Sequence, residues 1–453
     1  MSELTEALTF VELFLLVGTL LWIVIGKRDL FDPRLYVLYG VFHWLFVAQL
    51  FYVFKVGDAL NFELYEPTTF SDLEVFYGSL IVLLSTLFFL VGFSCAKYFL
   101  NDSHCSTNKL SFLHKIQAGY TNKYNYISLM LFVFSAGVVL LYDMGLNILP
   151  IPLLLPLGYF MPVATIFMVI ALVYHHYCGG RVGLLWRYLF VVCLIYMMFA
   201  TNIALIYPLI AIAVLIAGIY LPRFQRYKVA LFVLISPIAL FVVMTVQLGG
   251  KVYRRLLDAG VEIDVLTVLS NDSFYESLTR QLIRFDSFNV ESFAVVMHAF
   301  RDFVSTGDYQ MGATILSSIP VFKLLDHDIF LNFGRVMSLE SLGVGEHTNT
   351  ALAVSPVAEM AVNFSYAGPL FFYFFLGILS FCMYRWFRSS SSFKSVPVYI
   401  CFLVWLFLQQ RGDFLNGNMY PAYVFFMSYF VAHFFRKTYK TKAPLVPYVS
   451  QTE

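Results

Sequence analysis

The chain has 453 residues, of which 60% are hydrophobic and only 13% charged, with a mean hydropathy of +0.76. No soluble globular domain has this composition, so a soluble enzyme is excluded. The net charge of +1 points to no charged partner.

A helix that crosses a membrane needs about 20 predominantly apolar residues. Runs of that kind fall near 7–26, 35–54, 75–99, 126–142, 153–176, 184–200, 203–221, 229–248, 366–386, 396–410 and 418–435. The sequence therefore predicts an all-α polytopic membrane protein with about 11 transmembrane helices and one large helical outer loop. The N-terminus, MSELTEALTF, has no basic region, and Lys27-Arg28 rather than a cleavage site follows the first run, which predicts a retained span. The predicted organisation is an N-terminal bundle of about eight spans over 1–248, the outer loop over 249–364, about three C-terminal spans over 365–436 and a tail over 437–453.

Short-loop Lys and Arg set the orientation. Lys27, Arg28 and Arg34 place the first loop inside, and the acidic 58–74 loop reads outside. Lys97, Lys109, Lys115 and Lys123 return inside, as do Arg181, Arg187, Arg223, Arg226 and Lys228. The 249–364 loop is then outside, Arg385, Arg388 and Lys394 inside, QQRGDFLNGN outside, and Arg436, Lys437, Lys440 and Lys442 inside. Every loop fits one alternation, with the N-terminus out and the C-terminus in. The six cysteines lie in spans or on the inner side, so no disulfide framework is expected.

The outer loop carries six Arg, two Lys and fourteen Asp or Glu, a net charge of −6. It is not a basic patch for nucleic acid or anionic lipid. Its arginines stand among acids, and guanidinium is the side chain suited to bidentate capture of phosphate or carboxylate. Helical periodicity runs over Phe274–Phe303, with Phe293, Met297 and Phe300 on one face. Arg280 and Arg284 are one turn apart, either a fork for a diphosphate or a solvated face pairing with Glu276, Asp286 or Glu291. Arg411, with Asp413 two residues on, is either a second cation at the mouth of the bundle or a snorkelling interfacial residue. His347 and Glu359 are candidate bases, and each could instead be an ordinary hydrogen-bonded side chain. Glu359 stands in the apolar run LAVSPVAEMAVNF, where an acid needs a partner or a job. His175, His176 and Cys178 lack a fourth ligand and are read as no metal site. No phosphate-binding glycine loop, HExxH, GxSxG or paired acidic metal motif occurs, so no metal and no cofactor is predicted. The mid-span stretches hold almost no Lys, Arg, Asp or Glu, which argues against a transporter or flippase.

Four stretches carry a resemblance: SLTRQLIRFDSFNVESFAVVM, ATILSSIPVF, EHTNTALAVSPVAEMAVNFSYAGPLFF and QQRGDFLNG. Together they resemble Wzy-type O-antigen and repeat-unit polymerases, those of the enterobacterial common antigen among them. The likeness covers roughly the C-terminal half, from Val229 on. One departure is a turn in which relatives carry Arg, which here reads Ala200-Thr201-Asn202-Ile203; Lys251 or Arg254 would have to substitute.

The resemblance implies a membrane-embedded glycosyltransferase fold of the GT-C kind, in a bacterial inner membrane, with the outer loop and N-terminus periplasmic and the C-terminus cytoplasmic. It implies transfer of a glycan from undecaprenyl diphosphate to a new lipid-linked repeat unit, with no metal and no nucleotide sugar. Arg280 and Arg411 would bind the diphosphate and Arg284 would support it. His347 or Glu359 would take the proton of the acceptor hydroxyl. A chain-length regulator and a flippase of the same pathway would be partners. The nearest rival is an O-antigen ligase, with the same donor and a lipid A acceptor.

Overall fold

This computed structural model describes residues 2–27, 29–54, 70–100, 111–143, 160–177, 184–200, 202–217, 290–307, 311, 314–315, 355–410 and 420–434. The run 229–248 and the 437–453 tail lie outside these. The described residues form helices and no strands. In chain order they are α1 (Ser2–Leu21, continued by a π turn Trp22–Lys27), α2 (Pro33–Val53), α3 (Asp72–Phe99), α4 (Ser111–Gly119), α5 (Lys123–Asp143), α6 (Phe160–Tyr177) and α7 (Leu184–Ala200). Then come α8 (Asn202–Ile212), α9 (Val290–His298, continued by a π turn Ala299–Val304), α10 (Pro356–Phe364), α11 (Ala367–Ser389), α12 (Ser395–Leu408) and α13 (Tyr420–Phe434). Among the described residues, five helices, α1, α2, α3, α6 and α11, are long and apolar enough to cross a membrane. α12 and α13, which also fall on predicted spans, are apolar but shorter. α7 and α8 flank position 201, where the sequence predicted a turn.

Local chemistry explains where the long helices start. Asp32 caps α2, with the Arg34 N–H donating to its Oδ1 at 3.1 Å, and Pro33 fills the first position, where no N–H is needed. Ser71 and Glu74 close a reciprocal capping box at α3: the Glu74 N–H donates to Ser71 Oγ, and the Ser71 N–H donates to Glu74 Oε2 at 2.6 Å.

Among the described helices, α3 and α11 make the most extensive pairing. The two run the same way, since Tyr77 meets Tyr366, Gly92 meets Phe374, and Phe93 meets Phe381 further along. Two glycines set the approach. A Cβ on Gly92 would run into the Phe374 carbonyl, and one on Gly377 into the Phe89 carbonyl. Lipid tails are as apolar as leucine, so helices in a bilayer associate by this kind of backbone contact rather than by hiding apolar surface from water.

A polar knot ties the turn before α2 to the far end of α11. Asp29 Oδ2 accepts 2.6 Å bonds from Tyr384 Oη and from the Arg388 guanidinium, while Oδ1 accepts from the Phe31 N–H at 3.0 Å. Asp32 takes both the Nε and an Nη of Arg34, at 2.9 and 2.6 Å. Tyr399 Oη adds a 2.6 Å bond to the Phe31 carbonyl, which brings in α12. Lys115 of α4 donates to the Phe387 carbonyl.

The described parts of the 249–364 stretch do not form a separate layer. Phe293, Val296, Met297, Val357, Ala361 and Val362 belong to the same core cluster as the long helices.

Candidate functional site

Ser355 accepts the Ala358 N–H and Pro356 opens α10, so the SP pair is a helix start. Every residue from Pro356 to Asn363 is buried, which carries Glu359 into the apolar interior with 1% of its surface exposed. A carboxyl cannot stay there without hydrogen bonds. Thr314, buried and 45 residues earlier in the chain, donates through Oγ1 to Glu359 Oε1 at 2.8 Å. Asn363 is one helical turn beyond Glu359 and projects from the same side. Its Nδ2 donates to Thr314 Oγ1 at 2.6 Å and to the Glu359 carbonyl at 2.7 Å. Three side chains thus pin the 314–315 segment against α10.

The chain reverses sharply after α10. Ser365 takes a left-handed conformation, φ 60°, which is unusual for a residue with a Cβ and costs of order 1 kcal/mol. The Ser365 N–H bonds the Ala361 carbonyl at 2.8 Å, and the Gly368 N–H bonds the Ser365 carbonyl at 3.1 Å. Gly368 lies so close to the Met360 carbonyl that a Cβ would collide with it.

α9 reaches this turn from the other side. Phe293, Met297 and Phe300 share its buried face as the periodicity predicted. Gly78 of α3 leaves room for it: a Cβ there would stand 3.1 Å from Phe293 Cζ and 3.2 Å from Met297 Cγ. Phe300 stacks on Tyr366 with centroids 5.0 Å apart. At the helix end, Arg301 donates through an Nη to His298 Nδ1 at 2.7 Å and through Nε to Asp302 Oδ1 at 2.8 Å, with Glu74 4.0 Å away. An Nδ1 that accepts from Arg301 cannot also donate to Asp302 Oδ2 at 3.3 Å, so His298 is neutral and Asp302 is the partner of Arg301. Burial, and then the Arg301 charge, hold the His298 pKa below the ordinary histidine value.

The end of α12 leads directly to Arg411. Gln410 accepts from Tyr373 Oη and donates to the Leu406 carbonyl at 3.1 Å. Gln409 is fully buried, and neither its Oε1 nor its Nε2 has a hydrogen-bond partner.

Of the residues that sequence singled out, Glu359 is described. Arg280, Arg284, Arg411, His347, Lys251, Arg254 and Asp413 lie outside the described residues. His175 Nε2 sits 3.3 Å from Asn125 Nδ2, in keeping with an ordinary hydrogen-bonded histidine. Thr314, Asn363 and Gln409 were not singled out. Asn363 had a signal, its spacing of four from Glu359, and Gln409 had one as an amide closing an apolar run. Thr314 had none, because its contact is long-range.

No family model, no curated protein and no solved structure matches the chain.

Proposed function

We propose that the chain is a membrane glycosyltransferase that polymerises undecaprenyl-diphosphate-linked oligosaccharide repeat units at the periplasmic face of the bacterial inner membrane. The spans number about 11 in this proposal, in a GT-C-like arrangement with the N-terminus outside and the C-terminus inside. The observation that carries it is Glu359: an acid buried in a short helix that packs into the bundle, held by a threonine from elsewhere in the 249–364 stretch. It falls inside the longest motif that resembles the repeat-unit polymerases.

The reaction breaks the bond between the donor sugar C1 and the diphosphate oxygen. It forms a bond from C1 to an acceptor hydroxyl, whose proton goes to His347 or Glu359, and undecaprenyl diphosphate leaves. Negative charge collects on the leaving diphosphate. Fixed cations stabilise it most effectively where water is excluded, and Arg280, Arg284 and Arg411 supply them, with Lys251 or Arg254 in reserve. Gln409, two residues before Arg411 in the sequence and with its amide uncommitted, offers a donor and an acceptor to the bound substrate. The cations are guanidinium groups, so the reaction is proposed to be metal-independent.

The test gives purified protein a synthetic lipid-diphosphate repeat unit and resolves the products by length. Wild type should yield a ladder, unaffected by a chelator. Arg280→Lys keeps the charge but loses the fork, and should lower the rate by about 10²–10³-fold, the scale of losing one preorganised donor. A ladder at wild-type rate from Arg280→Lys would remove this residue from the diphosphate site. Transfer to lipid A instead of chain growth would make the protein a ligase.

A further inference from the structure

The first span carries an acid that the proposed glycosyl transfer does not use. Glu12 lies in α1 and is fully buried. Counted from Glu3 at about 1.5 Å per residue it stands about 14 Å along the helix, near the middle of a hydrocarbon core about 30 Å thick. An acid at that depth marks a site unless a partner neutralises it.

Among the described residues, no cation acts on Glu12. α1 packs against α2 and α3. Arg34 is at the start of α2, Asp72 and Glu74 are in the first turn of α3, and Lys97 is in its last turn. These and His43 of α2 do not act on Glu12, and the polar side chain that does is Gln49 of α2.

The hydrogen bonds around it are one short. Thr9 Oγ1 donates to the Thr5 carbonyl at 2.8 Å and accepts from Gln49 Nε2 at 3.0 Å. That use of the amide nitrogen leaves Gln49 Oε1 unbonded, together with Glu12 Oε1 and Oε2. The Glu12 carboxyl lies beside the Gln49 side chain, yet no hydrogen bond of normal geometry joins the two heavy-atom sets. All three unbonded atoms are acceptors when Glu12 is ionised, and a donor is what the cluster lacks.

We propose that Glu12, Gln49 and Thr9 form an intramembrane proton-binding site in which Glu12 is a neutral acid whose O–H donates to Gln49 Oε1. One proton cancels the charge and satisfies two of the three orphaned atoms. It also extends the chain Thr5–Thr9–Gln49–Glu12 into a continuous link between α1 and α2. A metal ion is a poorer fit. Hard cations gather about six oxygens, and three unbonded ones are present here; the described residues contain no cluster of three metal-ligating side chains.

Infrared difference spectroscopy of the full-length protein in detergent, at neutral pH, reads this directly. Wild type minus Glu12→Gln should show the carbonyl stretch of a protonated, hydrogen-bonded carboxylic acid and no carboxylate bands. Gln49→Leu should keep that acid band and move it to the higher frequency of an acid without an acceptor. Carboxylate stretches in the difference spectrum would overturn the proposal, with Glu12 then ionised and accepting from a rotated Gln49 amide. Carboxylate stretches that appear in sodium chloride but not in choline chloride would overturn it in favour of a sodium site. An acid band unmoved by Gln49→Leu would overturn the pairing. If Glu12→Gln does not yield folded protein, Glu12→Met removes the same oxygens and gives the same difference.

Discussion

The two ends of α11 hold the molecule together by different means. At its C-terminal end Arg388 and Tyr384 converge on Asp29, and Asp32 is filled by Arg34, so that each carboxylate meets a full positive charge at 2.6 Å. At its N-terminal end the Glu359 carboxylate accepts from the Thr314 hydroxyl, which in turn accepts from Asn363, and the buried side-chain amide of Gln409 makes no hydrogen bond. Saturated charge fixes helices and leaves nothing over for a ligand. A buried amide that makes no hydrogen bond, like that of Gln409, keeps capacity for one. In the proposed function, the C-terminal end is then the structural end and the N-terminal end the functional one.

The largest expected effect breaks the structural end. Arg388→Ala leaves Asp29 part-buried without its cation, and removing one member of a buried pair costs about 3–5 kcal/mol. The side chains are 11% and 16% exposed, which puts the cost near the lower figure. The melting temperature in detergent should fall clearly, and Asp29→Asn in the same background should add less than it does alone, because the two share one interaction. A variant that melts like wild type would mean that Tyr384 and the Phe31 N–H suffice, and the contrast between the ends would fail.

Next comes Glu359. Glu359→Ala takes the Oε1 acceptor away from the buried Thr314 hydroxyl while the Asn363 bonds remain, at about 1–3 kcal/mol for the lost acceptor. Glu359→Gln retains an acceptor for Thr314 and should fold nearly as well. If Glu359 takes the acceptor proton, the Gln variant should lose about 10²–10⁴-fold in polymerisation rate, the usual scale of a general base. Normal chain growth by Glu359→Gln would leave that role to His347 and make Glu359 a support for the 314–315 segment.

Much of the helical framework was legible, since apolar run length and helix capping are local properties. Ser71 with Glu74, Asp32 with Pro33, and Ser355 with Pro356 all announce helix starts in sequence, and the period of Phe293, Met297 and Phe300 announced a buried face. What the sequence hid was long-range. Gly92 and Gly377 are unremarkable letters until their helices touch. Thr314 acquires meaning only when 45 residues of chain bring it to Glu359. Glu12 gains its meaning only from packing, which buries it fully and sets it beside Gln49 of α2.

Gln409 gives a smaller effect, with opposite signs for stability and function. Gln409→Leu removes a buried amide that makes no hydrogen bond, so the melting temperature should stay level or rise, since replacing an unsatisfied polar group by an apolar one of similar shape is near neutral or stabilising. Chain growth should fall if the amide serves the substrate. Lower stability with unchanged chain growth would place Gln409 with the structural end.

The smallest effect concerns His298, and it is a matter of sign. Burial and the Arg301 charge depress its pKa in the folded protein, so the unfolded chain binds more protons near the ordinary histidine value of about 6.5. The stability that His298 contributes is therefore complete above that pH and is lost as pH falls through the lower, folded value. Protonating Nδ1 would also expel the Arg301 guanidinium that donates to it at 2.7 Å. The melting temperature should fall on the acid side in wild type, and His298→Gln should flatten that part of the curve. The reverse, wild type gaining stability over His298→Gln on acidification, would mean that Asp302 at 3.3 Å governs the ring instead of Arg301. Asp302 would then pair with His298 as well as with Arg301, and the distinction between the two ends would narrow to the unbonded amide of Gln409.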